Sequence, residues 1–226
     1  TLSGLRRRGV PSSAIKNFVR RLAISKNIGR VAVQMLDYFI RDSLNVTSKR
    51  YMGVLDPIKV TIENYPKGKV EKLEAINNPE DPDAGKREIP FSKEIYIEKD
   101  DFMEDPPRKF FRLGPGREVR LRYAYFITCN DVIKDAGGNV TEIHCTYDPE
   151  TRGGNAPDGR KVRGTIHWVS VSDAVDAEVR IYDRLFNKVD PEEGGDFLDA
   201  LNPDSCMVQA AKLEPCLSDP GGETYQ

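Results

Sequence analysis

The chain has 226 residues, of which 31% are charged and 38% are hydrophobic, and its formal net charge is −2 at pH 7. This length accommodates one large domain or two small ones, and no apolar run approaches the ~18 residues that a membrane-spanning helix needs. The acidic balance excludes a uniformly basic protein, so any nucleic-acid site must be a local patch. Because the sequence begins at Thr1 rather than Met and shows no signal-peptide pattern, we expect a cytoplasmic portion of a longer protein that contacts no membrane.

The first 48 residues are predicted to form helices. Pro11 and Ser12 mark a helix start, with Ser12 or Ser13 as the N-cap residue. Two apolar stripes then recur at helical spacing. They comprise Ile15, Phe18, Val19 and Leu22, followed by Val31, Met35, Leu36, Phe39, Ile40 and Leu44. Two short amphipathic helices of this kind must pack against each other or against another surface.

From Arg50 onward the apolar residues follow the alternating pattern of β-strands. The predicted strands are 51–62 with a bend at Asp56-Pro57, 94–98, 118–126 continued by 127–132, 140–147, 164–171, 177–186 and 207–213. We expect one hairpin within 64–90, a tight turn at 135–139 and a single helical turn at 196–201. Because no long helix separates the strands, antiparallel barrels or sandwiches are predicted rather than a parallel sheet.

The segment 108–126 carries six basic residues around one acid, Glu118. The basic residues are Arg108, Lys109, Arg112, Arg117, Arg120 and Arg122. Alternation in the second half predicts one strand with an apolar face that includes Tyr123 and an opposite face that carries Arg120 and Arg122. Guanidinium groups bind phosphates and base edges, and aromatic rings stack on unpaired bases, so the pattern is typical of an RNA-binding surface. A solvated strand face whose arginines pair with carboxylates is the alternative.

Motifs for catalysis and for nucleotide binding are missing from the sequence. It has no P-loop, no GxGxxG after a strand and no nucleophile elbow, and His167 beside Trp168 is expected to be structural. The four cysteines lack the CxxC spacing of zinc sites, and His144 next to Cys145 is weak evidence by itself. We therefore expect buried free thiols in a reducing compartment, and neither a metal site nor catalytic residues in this chain.

Five segments resemble one known family. They are SGLRRRG at 3–9, DPIKVTIENY at 56–65, GREVRLRYAY at 116–125, DGRKVRGTIHWVS at 158–170 and VRIYDRLF at 179–186. The fourth segment is the most specific, because it is long and unusual in composition. Together they resemble the C-terminal, anticodon-binding portion of the glutaminyl-tRNA synthetases, a family of class I aminoacyl-tRNA synthetases, and the resemblance extends over essentially the whole chain.

The resemblance implies a mainly β fold, in which a small α-helical connector precedes two antiparallel β-barrels like that of ribosomal protein L25. The implied divisions are a connector at 1–48, a proximal barrel at 49–106 with 185–226, and a distal barrel at 107–184. It also implies that the parent protein is a monomeric, ATP-dependent glutamine–tRNA ligase. Both ATP-binding signatures of the family are missing here, so ATP and Mg²⁺ are expected in a catalytic domain outside this chain, which alone should be inactive.

The implied partner is the anticodon stem-loop of tRNA-Gln, and no DNA. The resemblance assigns anticodon contacts to Arg50, Lys109, Arg112, Arg120, Arg122 and Gln226. Among these, Arg112 corresponds to recognition of the third anticodon base. Arg120 and Arg122 correspond to the first base and its phosphates, and Gln226 corresponds to the central uridine.

Two positions depart from the family pattern, and four others are expected at the phosphate backbone. Lys109 stands where a glutamine is usual and Phe111 where a lysine is usual, so the wall around the third base is expected to differ. The expected backbone contacts are Arg6, Arg7, Arg8 and Arg108, with a solvated turn as the alternative for the first three.

Three other functions remain open at this stage. A eukaryote- or archaea-type glutamyl-tRNA synthetase shares the barrel architecture, and the two tRNAs differ at the third anticodon base that Arg112 is expected to contact. A non-enzymatic, L25-like RNA-binding module is the second alternative, although it leaves the helices and the second barrel unexplained. A protein-interaction domain, in which the arginines form salt bridges, is the third and predicts no affinity for tRNA.

Overall fold

The computed structural model describes residues 1–22, 29, 31–191, 193 and 195–218. Strand residues outnumber helical residues in this part of the chain, which confirms the predicted mainly β class. Two compact units are present: a helical unit of Thr1–Tyr51 with Glu74–Glu88, and a β unit of Met52–Leu73 with Ile89–Ser218. Within the described ranges, no helix is long and apolar enough to cross a membrane.

The helical unit begins with α1 (Leu2–Arg7), α2 (Ser12–Leu22) and α3 (Val33–Thr47). The predicted N-cap is wrong, because Ser12 is already the first residue of α2. The two helices pack against each other, which is the first of the two predicted alternatives, with the rings of Phe18 and Phe39 in an edge-to-face contact at 6.4 Å. Part of the predicted stripes stays exposed, namely Val19, Leu22, Val31 and Met35. The hydroxyls of Ser13 and Ser43 lie 3.0 Å apart beside them, so α2 and α3 form a pair.

Twelve strands are present in the described part of the chain. They are β1 (Gly53–Leu55), β2 (Pro57–Ile62), β3 (Glu71–Ile76), β4 (Lys86–Phe91), β5 (Glu94–Glu98), β6 (Glu118–Leu121), β7 (Phe126–Lys134), β8 (Val140–Asp148), β9 (Thr165–Ile166), β10 (Val169–Ser170), β11 (Val175–Tyr182) and β12 (Cys206–Leu213). The bend at Asp56-Pro57, the β3–β4 hairpin and the helical turn at Phe197–Ala200 confirm the predictions for those segments.

The strands form three sheets in the described residues. The largest has seven strands in the order β10-β5-β2-β8-β7-β6-β9, the next has the order β1-β12-β11, and β3 pairs with β4. Most neighbours are antiparallel, but β2 pairs with β8 and β6 pairs with β9 in parallel. The prediction of purely antiparallel pairing is therefore wrong for these two pairs. Long connections join their strands, so no hairpin imposes an antiparallel direction.

The basic segment does not form the single long strand that its alternation predicted. Strand β6 ends at Leu121, and β7 returns beside it so that Val119 pairs with Ile127. Tyr123, with φ of 64°, makes the turn between them in the left-handed region. The indole N–H of Trp168 donates to the Arg122 carbonyl at 3.0 Å. This long-range contact supports a turn that has neither Gly nor Pro to mark it. The predicted strand 164–171 is likewise divided, into β9 and β10.

An aromatic cluster occupies the core of the β unit. The Phe91 and Trp168 rings meet edge to face at 5.0 Å, and so do the Tyr125 and Tyr147 rings. Edge-to-face pairs of this kind add to the stabilisation from apolar burial. The cluster joins the end of β4 to the start of β10 and thereby fixes the turn between β6 and β7.

A carboxylate anchors the polar side of this cluster. Glu71 accepts hydrogen bonds from the hydroxyls of Tyr65 at 2.9 Å and Tyr125 at 2.7 Å. Burial raises the pKa of Glu71, but the hydrogen bonds from Tyr125 and Tyr65, together with the charges of Lys69 and Arg152, more than offset burial, so the pKa of Glu71 is lowered. Burial and the same carboxylate raise the pKa of Tyr125 to about 12.

Two glycines hold the loop between β5 and β6 close to the sheet. A Cβ on Gly164 would lie 2.2 Å from the Phe111 carbonyl oxygen, and one on Gly114 would lie 2.8 Å from that of Met103. The guanidinium of Arg117 donates to the carbonyls of Phe110 at 2.6 Å and Pro106 at 3.2 Å. Arg117 therefore has a structural role within the basic segment.

The cysteines agree only in part with the sequence prediction. All four are free thiols, and Cys129 and Cys145 are buried as expected. Cys206 and Cys216 are exposed. Cys206 begins β12 in a run of exposed residues, so its strand position does not bury it.

Replacing Glu71 by Gln should reduce the free energy of unfolding at about pH 7 by about 1–3 kcal/mol, because two tyrosine hydroxyls lose a charged acceptor. Folding lowers the pKa of Glu71, so its contribution is complete above the unfolded-state pKa and is lost as the pH falls through the folded-state pKa. Denaturant titrations should therefore show a difference between wild type and Glu71→Gln that is largest at neutral pH and shrinks in acid, as the pH falls through the lowered pKa of Glu71.

The matched control is Glu74→Gln, since Glu74 lies on the same strand, is exposed and pairs with Lys86 at the surface. Its effect on the free energy of unfolding should stay small at both pH values. An equal loss for Glu71→Gln at neutral and acid pH would contradict the role given to its carboxylate.

Candidate nucleic-acid interface

Two exposed cations lie at the tip of the loop between β5 and β6. Arg108 and Lys109 form a turn directly after Pro106-Pro107, and both side chains are exposed. Neither makes a hydrogen bond or an ion pair with any described residue. Their charges are therefore available to an anionic ligand.

The guanidinium of Arg112 forms an ion pair with the buried carboxylate of Asp101. Its Nη1 donates to Oδ1 of Asp101, whose side chain is only 1% exposed, while the Arg112 side chain is 48% exposed. The main chain repeats this connection, because the Leu113 N–H donates to the Asp101 carbonyl at 3.0 Å. The guanidinium thus has one end in the protein and the rest in solvent.

Asp101 also belongs to a small polar cluster. One ligand atom from each of Glu98, Asp101 and His167 lies within 4.8 Å of the others, and His167 Nε2 is 3.5 Å from Glu98 Oε1. A carboxylate–carboxylate–imidazole set of this kind has the donor types that bind divalent metals. The cation of Arg112 already occupies the Asp101 carboxylate, however, which opposes a second cation there.

Arg120 and Arg122 have different environments. Arg120 lies within β6, partly buried, with its guanidinium carbon 5.4 Å from the centroid of the Phe126 ring. Its stem packs on Gly154, where an added Cβ would lie 3.0 Å from the Arg120 Cδ. Arg122 follows the end of the strand and is exposed, with no side-chain partner among the described residues. The strand face therefore does not carry the predicted row of guanidiniums. Arg120 packs within β6, whereas Arg122 lies beyond the end of the strand, and its side chain has no partner among the described residues.

Arg163 completes this surface and was not among the predicted site residues. Its guanidinium carbon lies 5.3 Å from the centroid of the Phe111 ring, and this ring is 47% exposed. Arg163 belongs to the segment 158–170, whose unusual composition was a signal in the sequence. The stacking of Arg163 on Phe111 had no signal in the sequence, because the two residues are far apart in the chain. Together they present a flat cationic and aromatic surface.

Backbone packing brings these groups to one edge of the seven-stranded sheet. The Arg120 N–H donates to the Gly164 carbonyl at 2.9 Å, and the Arg122 N–H donates to the Ile166 carbonyl at 2.9 Å. The Phe111 carbonyl packs against Gly164 from the other side. We call this edge the basic edge. It comprises Arg108, Lys109, Phe111, Arg112, Arg120, Arg122 and Arg163.

A nearby arginine is fully engaged within the protein. Arg160 donates to Glu118 at 3.0 Å and to Asp158 at 2.7 Å, and also contacts Asp148. Its hydrogen bonds to these carboxylates, first the one to Glu118, raise the pKa of Arg160. Within 108–126 the alternative of arginines paired with carboxylates describes Arg112, which pairs with Asp101, but it does not describe the exposed cations Arg108, Lys109 and Arg122.

The remaining predicted residues belong to the helical unit or lie beyond the described residues. Arg50 is exposed, and its Nη2 donates to the Asn45 carbonyl at 3.2 Å. Arg6 and Arg7 occupy the last turn of α1, where cations interact favourably with the helix dipole. Arg8 lines a groove of about 430 Å³. The other lining residues are Val10, Asp37, Ile40, Arg41, Leu44 and Asn45. Gln226 lies outside the described residues.

Comparison with known proteins shows which family the sequence of this chain matches. Residues 48–148 match the model of the tRNA synthetases class I (E and Q), anti-codon binding domain, and residues 165–226 match a second model of the same description. The basic edge falls mostly within the first match, while Arg163 lies between the two.

Curated relatives agree with these matches. The glutamine–tRNA ligase of Nitrobacter winogradskyi is 56% identical over 228 residues, which cover 100% of this chain and 41% of the relative. That of Nitrobacter hamburgensis is 55% identical over 218 residues, 96% of this chain and 39% of the relative. That of Clostridium kluyveri is 54% identical over 217 residues, 95% of this chain and 39% of the relative.

The chain therefore spans about two fifths of the length of the curated relatives it matches. Two matching models and the relatives together cover every element of the β unit. The chain belongs to the class I tRNA synthetases (E and Q), of which it is the anticodon-binding part.

Proposed function

We propose that this chain reads the anticodon stem-loop of tRNA-Gln on behalf of a glutamine–tRNA ligase. The joining of glutamine to tRNA, with its ATP and Mg²⁺, is then carried out by residues outside this chain, in a cytoplasmic, monomeric enzyme. The observation that carries the proposal is the basic edge, where exposed cations occur together with a half-exposed aromatic ring that Arg163 stacks on, in a chain of net charge −2.

The chemistry of the basic edge suits unpaired RNA bases. Splaying the anticodon bases costs stacking energy, which stacking on protein groups and hydrogen bonds to base edges must replace. The stacked pair Phe111 and Arg163 offers a planar surface for a base. Arg112 offers a fork of N–H donors that suits a base edge. Arg108 and Lys109 offset phosphate charge at the tip of the loop.

Individual roles follow from exposure together with the family resemblance. Arg112 contacts the third anticodon base, with Lys109 and Phe111 forming the altered wall around it. Arg122 contacts the first base and its phosphates. Arg120 supports this region from a packed position, and its exposed neighbour Arg122 makes the more direct contact.

The other predicted contacts are also part of this proposal. Arg50 contacts the anticodon and Gln226 contacts the central uridine, as the resemblance implies. Arg6, Arg7 and Arg8 contact the phosphate backbone. The exposure of Arg6 and Arg7 supports this assignment.

The domain organisation that we propose has a connector at 1–48 followed by two L25-like barrels. The proximal barrel comprises 49–106 with 185–226, and the distal barrel comprises 107–184. Pairing of β1 (residues 53–55) with β12 (residues 206–213) supports the discontinuous proximal barrel. Strands of the two proposed divisions are also hydrogen-bonded to each other, since β12 pairs with β11 and β2 pairs with β8.

A glutamyl-tRNA synthetase of the eukaryote or archaea type is the second candidate, because the matching family models cover both specificities. Relatives named as glutamine–tRNA ligases favour the first. A non-enzymatic RNA-binding module has weaker support, because the relatives that match 96–100% of this chain are named as ligases. A protein-interaction domain has weaker support, because exposed cations of the basic edge have no carboxylate partner among the described residues.

Arg112→Ala should remove discrimination at the third anticodon base. Losing a bidentate donor to a base edge costs about 1–3 kcal/mol, or roughly 5- to 150-fold in affinity. The measurement is filter binding of the chain to tRNA-Gln and to a third-base variant of the same tRNA. Affinity for tRNA-Gln should fall to that for the variant. Retained discrimination would show that Arg112 does not contact this base.

Arg108→Ala should act differently, because a phosphate contact carries no sequence information. It should weaken binding of both tRNAs by the same factor and reduce the slope of log affinity against log salt by about 0.7–0.9.

The control for Arg108 is Lys67→Ala. Lys67 is exposed and follows β2, which lies three strands away from β6 in the large sheet. It should leave both the affinity and the salt slope unchanged. An equal change in slope for the two variants would reduce the basic edge to part of a diffuse charge effect.

A further inference from the structure

The contact between Arg112 and Asp101 is unusual for a surface arginine. Asp101 ends a short 3-10 turn, Lys99–Asp101, and its side chain is 1% exposed. Carboxylates are rarely buried to this degree unless a partner compensates their charge. The charged partner that touches Asp101 is the guanidinium of Arg112. A buried carboxylate thus binds one end of the guanidinium of Arg112, whose side chain is half exposed.

The main chain around this ion pair is fixed as well. The Leu113 N–H donates to the Asp101 carbonyl at 3.0 Å, and the Met103 N–H donates to the Leu113 carbonyl at 3.2 Å. Leu113 itself is fully buried. Arg112 is thus constrained at its backbone by a buried neighbour and at its guanidinium by a buried carboxylate.

A constrained guanidinium is a better ligand for a flat base edge than a mobile one. Long side chains lose rotamer freedom when they bind, and fixing them beforehand removes much of that cost. One N–H of Arg112 is used by Asp101, and a guanidinium carries five. The rest of the group faces solvent at the basic edge, so its direction is set before the ligand arrives.

We propose that Asp101 is a positioning residue for recognition of the third anticodon base, acting through Arg112. This inference rests on the proposed function, because it assigns a purpose to the arginine that is proposed to contact that base. Oδ2 of Asp101 has no hydrogen-bond partner among the described residues, and one ligand atom each of Glu98 and His167 lies within 4.8 Å of a carboxylate oxygen of Asp101. Among the described residues, the Asp101 carboxylate therefore accepts a hydrogen bond from Arg112 and from no other residue.

The test is a double-mutant cycle on the full 226-residue chain, with Asp101→Asn, Arg112→Ala and the double variant. Filter binding to tRNA-Gln and to its third-base variant gives a discrimination ratio for each protein. Asp101→Asn should lower this ratio about five- to tenfold, because a charge-assisted hydrogen bond becomes a neutral one. In the Arg112→Ala background the same change should have no further effect.

Two results would overturn the proposal. One is an unchanged ratio in Asp101→Asn, and the other is an equal loss with and without Arg112, which would indicate a merely structural role. Failure of the proposed function is a separate result, since wild type would then bind both tRNAs equally. The matched control is Asp148→Asn, which removes a carboxylate from the exposed Arg160 and should leave the ratio unchanged.

A measurement on wild type covers the case in which Asp101→Asn does not fold. The ¹⁵N spectrum of the Arg112 side chain, assigned with Arg112→Lys, reports rotation of the guanidinium. Separate Nη signals, from restricted rotation, are expected from the ion pair. A single averaged signal like that of the free Arg108 would overturn the proposal.

Discussion

Main-chain hydrogen bonds between β6 and the segment 164–166 hold the basic edge together. The Arg120 N–H donates to the Gly164 carbonyl and the Arg122 N–H donates to the Ile166 carbonyl, in a parallel register that pairs Arg120 with Thr165. Because Gly164 has no side chain, the Phe111 carbonyl can approach it from the loop between β5 and β6. The loop between β5 and β6, the strand β6 and the segment 164–166 are thus packed against one another through their main chains. These main-chain contacts bring the segments that carry Phe111, Arg120, Arg122 and Arg163 next to one another.

The distribution of charge explains how a slightly acidic chain can present a site for RNA. Arg117 binds carbonyls within its own loop, and Arg160 binds three carboxylates. These arginines stabilise the local structure and have little left to offer a ligand. Arg108 and Arg122 have no such partners among the described residues. The net charge of the chain therefore says little about RNA binding, because RNA binding depends on where the unpaired cations lie.

Local patterns predicted the parts of this fold that depend on neighbouring residues. The Asp56-Pro57 bend and the β7–β8 hairpin have their own turn chemistry in the sequence. The end of β6 does not, because the alternation continues through Tyr123 and the turn depends on a hydrogen bond from Trp168. Arg112 was identified by resemblance, whereas its buried partner Asp101 was not. No periodicity links two residues that meet only through a loop.

The most direct test of the account is filter binding of wild-type chain to tRNA-Gln, tRNA-Glu and a third-base variant of tRNA-Gln, at two salt concentrations. We expect the tightest binding to tRNA-Gln, and a preference over the other two tRNAs that survives the higher salt, because base contacts depend on salt less than phosphate contacts do. Weak and equal binding to all three, lost together at high salt, would contradict it and reduce the basic edge to an electrostatic patch.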